Sequence, residues 1–152
     1  MTEYDIIIIG SGPGGYTAAA AAVKAGLKTL VVEADRLGGT CLNRGCIPTK
    51  TFCRSAVAAL EVKGAPAFGV EVAQGKADGE FGIGIADPQP VVSLQKILDR
   101  KDAIVEELRE GVAGIIRGAD VCQGTARFTG PHTVEAAGME YTAPYIVIAT
   151  GA

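Results

Sequence analysis

Tyr4-Asp5-Ile6-Ile7-Ile8-Ile9-Gly10-Ser11-Gly12-Pro13-Gly14-Gly15 decides how this chain is read. Residues 4–9 form a short, strongly apolar, β-branched run, as expected of a strand buried on both faces of a parallel sheet. It runs directly into four glycines within six residues. Tyr16 to Ala25 is then alanine-dense and helix-favouring, with Gly26 as a C-terminal stop. Leu27 to Val32 reads as a second apolar strand, ending at Glu33.

A strand, a glycine turn, a helix and a second strand predict an α/β chain. The expected fold is a Rossmann-like domain for FAD or NAD(P), with a parallel sheet and helices on both of its faces. Gly10 allows the tight turn out of the strand, and Gly12 lets the backbone approach a pyrophosphate. Gly15 permits close helix–strand packing, and Gly14 stands in the same turn. Glu33 follows Gly15 by 18 residues and lies at the tip of the second strand. There its carboxylate can accept hydrogen bonds from ribose hydroxyls, and it disfavours a 2′-phosphate. The bland alternative is a glycine-rich turn that binds nothing. The motif alone does not separate FAD from NAD.

A second stretch, Gly38-Gly39-Thr40-Cys41-Leu42-Asn43-Arg44-Gly45-Cys46-Ile47-Pro48-Thr49-Lys50, carries chemistry of another kind. Four residues between Cys41 and Cys46 let the chain bend back so that the sulfurs can approach bonding distance. Arg44 and Lys50 are cationic neighbours, and Pro48 is tolerated where a helix begins. Such surroundings lower a thiol's pKa and favour a pair that opens and closes. Two other readings stay open: an inert disulfide, or half of a zinc site. Four cysteines and no signal-peptide pattern speak against the first. The only histidine, His132, is distant, and Cys53 and Cys122 lie in no ligand-like knuckle, which weakens the second. No metal site is expected. A redox pair behind a dinucleotide turn favours FAD there, because a flavin is what passes electrons between a dithiol and a nicotinamide.

With both stretches in order, the chain resembles the flavoprotein disulfide reductases, and most closely the dihydrolipoamide dehydrogenases. The G-G-T-C-L-N-x-G-C-I-P-[ST]-K pattern carries most of the resemblance, and residues 145–152, Tyr-Ile-Val-Ile-Ala-Thr-Gly-Ala, look like the family's A-T-G-[SA] strand end. The match implies that Gly10, Gly12, Gly15 and Glu33 bind the ADP half of a tightly held FAD, with Thr40 near its diphosphate and Gly151 at the closing strand end. Cys46 would face the flavin, Cys41 would exchange with substrate, and Lys50 would lie beside the flavin. It also implies NAD as co-substrate, a dihydrolipoamide-type dithiol, a homodimer, and a place in a 2-oxo acid dehydrogenase or glycine cleavage complex. Glutathione- and mercuric-reductase-like enzymes are the near alternatives. From other classes come a non-catalytic nucleotide-binding module and a small thiol–disulfide carrier.

The remaining sequence is read more coarsely. The chain has 152 residues, 48% of them apolar, which is one domain by length with enough apolar material for a core. Net charge −3 and scattered basic residues argue against a nucleic-acid surface. No apolar run reaches membrane length, and the cytoplasm is the expected compartment. Thr51 to Val62 predicts a helix in which Cys53 is packed, residues 63–90 a glycine-rich loop excursion, and Val91 to Ile116 a long amphipathic helix. That helix could expose a solvated face or form a dimer surface. Asp120 to Phe128, Thr133 to Ala136 and Met139 to Tyr141 predict a small antiparallel meander, with Cys122 buried and His132 in a turn. Residues 1–152 are thus expected to be an N-terminal FAD segment without nicotinamide or interface domains, and inactive by itself.

Overall fold

Ile7 and Ile8 are adjacent, fully buried and on opposite faces of one strand, so both faces of that strand must be covered. The computed structural model describes residues 2–70 and 90–151 and shows what covers them. In chain order the elements are β1 (Thr2–Glu3), β2 (Ile6–Ile9), α1 (Pro13–Lys24), β3 (Thr29–Glu33), α2 (Gly39–Asn43) and α3 (Cys46–Gly64). A 3-10 turn (Ala65–Phe68) follows, then α4 (Leu94–Ile115), β4 (Asp120–Gln123), β5 (Arg127–Gly130), β6 (Thr133–Ala136), β7 (Met139–Thr142) and β8 (Tyr145–Ile148). They fall into two compact units, Met1–Pro48 with Ala103–Ala152, and Thr49–Asp102.

The first unit holds a four-stranded parallel sheet in the order β4-β3-β2-β8, with Ile6 opposite Thr29 on one side and Tyr145 on the other. On one face Ile8 and Val31 pack against Ala19 of α1 and Ile116. On the other, Ile7, Ile9, Leu30, Val32 and Cys122 meet Val134, Ala136, Tyr141 and Ala143. Burying such aliphatic side chains is worth about 1.5–3 kcal/mol each. The expected parallel sheet, helices and small meander are all present, but the helices, expected on both faces of the sheet, pack on one. Among the described residues, the meander covers the second face of the sheet.

That meander, in the order β1-β7-β6-β5, is antiparallel apart from the β1–β7 pair. The β6–β7 turn is Ala137-Gly138, both at positive φ (50° and 75°), as a two-residue hairpin of this hand requires. The buried Tyr141 hydroxyl donates to Cys122 Sγ across the two sheets (3.6 Å); this contact, then burial, raises its pKa. Tyr4 donates to Asp120 Oδ2 (2.9 Å), and burial, reinforced by that carboxylate, pushes its phenol up to about 12.

Three boundaries differ from the sequence reading. The strand expected over 120–128 is two strands in two sheets. Residues 120–123 pair with β3, residues 127–130 pair with β6, and Gly124 donates its N–H to the carbonyl of Glu33 (2.8 Å) where the chain turns away. Helix α3 begins at Cys46, five residues before the expected start, because Pro48 falls in a first turn that needs no N–H from it. It also runs through Lys63 and Gly64, and the 3-10 turn follows, so the start of the expected 63–90 loop is helical. The rest of that expectation, residues 71–89, lies outside the described residues. Helix α4 starts at Leu94, where Ser93 Oγ accepts from the N–H of Lys96 (3.4 Å) as a cap.

In the second unit Cys53 is exposed and free, contrary to the expectation of a packed thiol. Phe52, Val57 and Leu60 on the same helix are exposed as well. Among the described residues, no helix is long and apolar enough to cross a membrane and no cluster could hold a metal ion.

Two substitutions test this packing. Ile7→Ala should cost about 2–5 kcal/mol in urea unfolding. Ala137→Gly should gain up to about 1 kcal/mol by relieving a left-handed alanine. An unchanged urea midpoint in either variant would contradict the packing or the turn described here.

Candidate dinucleotide and disulfide site

The carboxyl ends of β2 and β3, with the residues that follow β4 and β8, surround a cleft of about 560 Å³. In a parallel sheet this is where ligands bind, beside the strand from which the chain departs in both directions, here β2. The floor is the β2–α1 turn. A Cβ at Gly15 would lie 1.9 Å from the carbonyl oxygen of Gly10, so only glycine lets the helix start this close beneath the turn. No side chain caps α1 and no acid sits in its first turn. Its leading N–H groups and the positive end of its dipole are therefore left for a ligand anion. The backbone there is also open. A Cβ on Gly14 would meet nothing within 4 Å, and one on Gly12 only Gly39 Cα at 3.9 Å.

Glu33, the last residue of β3, lines the cleft with only 9% of its surface exposed. Its Oε2 accepts from the N–H of Ser11 (2.8 Å) and from Ser11 Oγ (2.6 Å), while Oε1 accepts from the N–H of Asp35 (2.9 Å). Burial pushes this carboxyl up, but the donors from Ser11, Asp35 and Ala34 outweigh it and hold the pKa below the ordinary glutamate value.

The disulfide segment is seated on the same turn. The N–H of Gly38 donates to the carbonyl of Ser11 (3.1 Å). Gly39, at φ +65°, packs so that a Cβ there would lie 2.7 Å from Gly12 Cα. Leu42 of α2 is buried with Val105 and Val112, against Tyr16. The Asn43 side-chain amide donates to the carbonyls of Leu37 (3.0 Å) and Gly39 (2.9 Å), and Asn43 Oδ1 accepts from Arg109 Nη2 (3.0 Å) and Nε (3.3 Å). Arg44 pairs with Asp35. Cys41 and Cys46 are joined, with Cα atoms 4.7 Å apart.

Of the residues singled out in the sequence, Gly10, Gly12, Gly14, Glu33, Thr40, Cys41 and Gly151 all line this one cleft. Gly15 is buried beneath its floor. Cys46 is exposed, bonded to Cys41, at the first position of α3. Lys50 is exposed four residues further along that helix, in the second unit. Sequence reasoning passed over Ser11, which the glycine motif treats as a spacer, and Asn43 and Arg109. The last pair is 66 residues apart, and nothing local signals the contact.

Fold and site thus define an α/β dinucleotide-type domain with a disulfide on the rim of the cleft at the carboxyl ends of its strands. Residues 4–152 match the family model of the pyridine nucleotide-disulphide oxidoreductases, and the chain belongs to that family. It is 40% identical over 153 residues to a dihydrolipoyl dehydrogenase of Thermus scotoductus, covering 99% of this chain and 30% of that protein. A dihydrolipoyl dehydrogenase of Bacillus subtilis is 42% identical over 132 residues, covering 86% of this chain and 25% of that one. The solved structure of the HOCl-induced flavoprotein disulfide reductase RclA from Escherichia coli superposes with a TM-score of 0.72 at 27% identity, over 97% of this chain and 28% of that chain. The chain therefore spans about 30% of the length of these relatives.

Thiol labelling checks the cysteine assignments. The folded, unreduced chain should take up a maleimide at Cys53 only, and after mild reduction at Cys41 and Cys46 as well. Cys122 should react only on unfolding. Labelling of Cys41 before reduction would contradict the pairing.

Glu33 gives a pH test. Its folded pKa is depressed, so its contribution to stability is complete above the ordinary value of 4.5 and is lost as pH falls through the lower folded value. The stability gap between the unsubstituted chain and Glu33→Gln should therefore narrow in acid below that window. A gap that widens in acid would contradict the assignment.

Proposed function

We propose that residues 1–152 serve as the FAD-binding and redox-disulfide segment of an NAD-linked dithiol oxidoreductase whose substrate is a dihydrolipoamide-type dithiol. The observation that carries this reading is that Cys41, half of a disulfide, lines the same cleft as the glycine turn and Glu33. The cleft suits the ADP half of FAD on three counts. The backbone is bare at Gly12 and Gly14, the helix start is uncapped, and an ionised carboxylate is placed for a ribose. In this reading Gly10, Gly12 and Gly14 receive the pyrophosphate, and Gly15 brings the helix start up to it. Glu33 takes the ribose hydroxyls, while Thr40 and Gly151 border the diphosphate. Lys50, in the second unit, takes its role of offsetting negative charge on the flavin from the motif's resemblance alone. Bound FAD supplies the two-electron relay between a dithiol and a nicotinamide.

The chain's own chemistry is thiol exchange. One substrate thiolate attacks Cys41 Sγ, the Cys41–Cys46 bond breaks, and Cys46 leaves as a thiolate, a form favoured by the start of α3. The second substrate thiol then displaces Cys41, closing the substrate disulfide. Two electrons pass to the cysteine pair, and the two substrate thiol protons go to the released cysteines or to solvent. This reading also takes NAD as co-substrate, a second subunit in a homodimer, and a 2-oxo acid dehydrogenase or glycine cleavage complex as setting, as the resemblance to the dihydrolipoamide dehydrogenases implies. Similarity to proteins named dihydrolipoyl dehydrogenase supports it.

The test is the visible spectrum of the FAD-loaded chain during dithiothreitol titration. The unsubstituted chain should gain long-wavelength absorbance on reduction, and Cys46→Ala should not. A flavin band indifferent to the state of the cysteines would sink the redox half of the proposal.

A further inference from the structure

We propose that Ser11 is a positioning residue for nucleotide recognition. By donating both its N–H and its hydroxyl to Glu33 Oε2, it fixes that carboxylate so that Oε1, the oxygen Ser11 does not occupy, is the one that meets the hydroxyls of a nucleoside sugar. The inference rests on the dinucleotide reading of the cleft and goes beyond it, because the glycine motif assigns Ser11 no task.

The geometry is specific. Ser11 is fully buried, and its only hydroxyl hydrogen is spent on Glu33 at 2.6 Å. A carboxylate has about four acceptor positions; Ser11 takes two on one oxygen, Asp35 N–H takes one on the other, and the Ala34 N–H is a further backbone donor to the group. A fixed, ionised carboxylate accepts from a ribose hydroxyl and repels a 2′-phosphate. The remaining charged groups on the cleft do not substitute for Ser11. Asp35 and Arg44 are paired with each other, Arg36 is exposed, and the lining residues from α1, β4, β8 and their adjoining turns carry no charge. Ser11 also accepts from Gly38 through its carbonyl, so the residue that aims Glu33 also seats the disulfide segment.

Ser11→Ala removes one donor to Oε2 and leaves the backbone N–H in place. FAD binding should be followed by quenching of flavin fluorescence between acid and neutral pH, with adenosine 2′,5′-bisphosphate as competitor. In Ser11→Ala, FAD should bind about tenfold more weakly at neutral pH, the size of one hydrogen bond to a charged group. The pH below which binding fails should move upward, and discrimination against the 2′-phosphate competitor should fall. Equal affinity and an equal pH profile in the two proteins would overturn this inference alone. Failure of the unsubstituted chain to bind FAD at any pH would overturn the dinucleotide reading and this inference with it. Carboxyl 13C titration of Glu33 gives a ligand-free check. The resonance should titrate below the ordinary glutamate value in the unsubstituted chain and higher in Ser11→Ala. A Glu33 that titrates normally in the unsubstituted chain would overturn the inference even if the variant fails to fold.

Discussion

The backbone of Ser11 and Gly12 is the junction on which this site depends. The β2–α1 turn, the end of β3 and the segment entering α2 all converge there, and two of the contacts, at Gly15 and Gly39, leave no room for a side chain. Gly15 lets α1 begin beneath Gly10, Gly39 lets the disulfide segment lie against Gly12, and Ser11 ties itself to Glu33 through two donors. A Cβ at Gly15 or Gly39 would fall 1.9 or 2.7 Å from backbone, far inside contact distance. Relief would require backbone displacement, and the cleft would change shape with it.

From that junction the disulfide inherits its position. The helix carrying Cys41 is only five residues long and could not hold itself in water. It is fixed from outside, by Leu42 in the small core with Val105 and Val112, and by Asn43 bridging the preceding loop to Arg109 of α4. Cys46 then opens a helix of 19 residues. The two sulfurs thus belong to different elements, so the bond between them can open while its supports remain in place.

Much of this was legible from residues alone, for identifiable reasons. The isoleucine run, the glycine turn and Glu33 are local signals whose meaning depends on chain order, and all fall where the strand–turn–helix–strand reading places them. Strand pairing is not local. Residues 120–128 read as one strand because nothing in their pattern says that Cys122 faces the meander core from one sheet while Phe128 pairs within another. Pro48 reads as tolerated where a helix begins, and it does lie in a first turn, but the helix expected from Thr51 opens at Cys46. Cys53 looked packed because helical periodicity marks a face without saying whether anything covers it. The Ser11–Glu33 contact spans 22 residues and uses a position the motif leaves open, so only coordinates reveal it.

The central claim is that nucleotide and disulfide share one frame built on this turn, and amide chemical-shift mapping of the 15N-labelled chain during FAD titration tests it most directly. The predicted result is a contiguous set of shifts at Ser11, Gly12, Gly14, Glu33, Gly39, Thr40 and Cys41. Shifts confined to residues away from the carboxyl ends of β2 and β3, or shifts at the turn that leave Gly39 to Cys41 untouched, would contradict it.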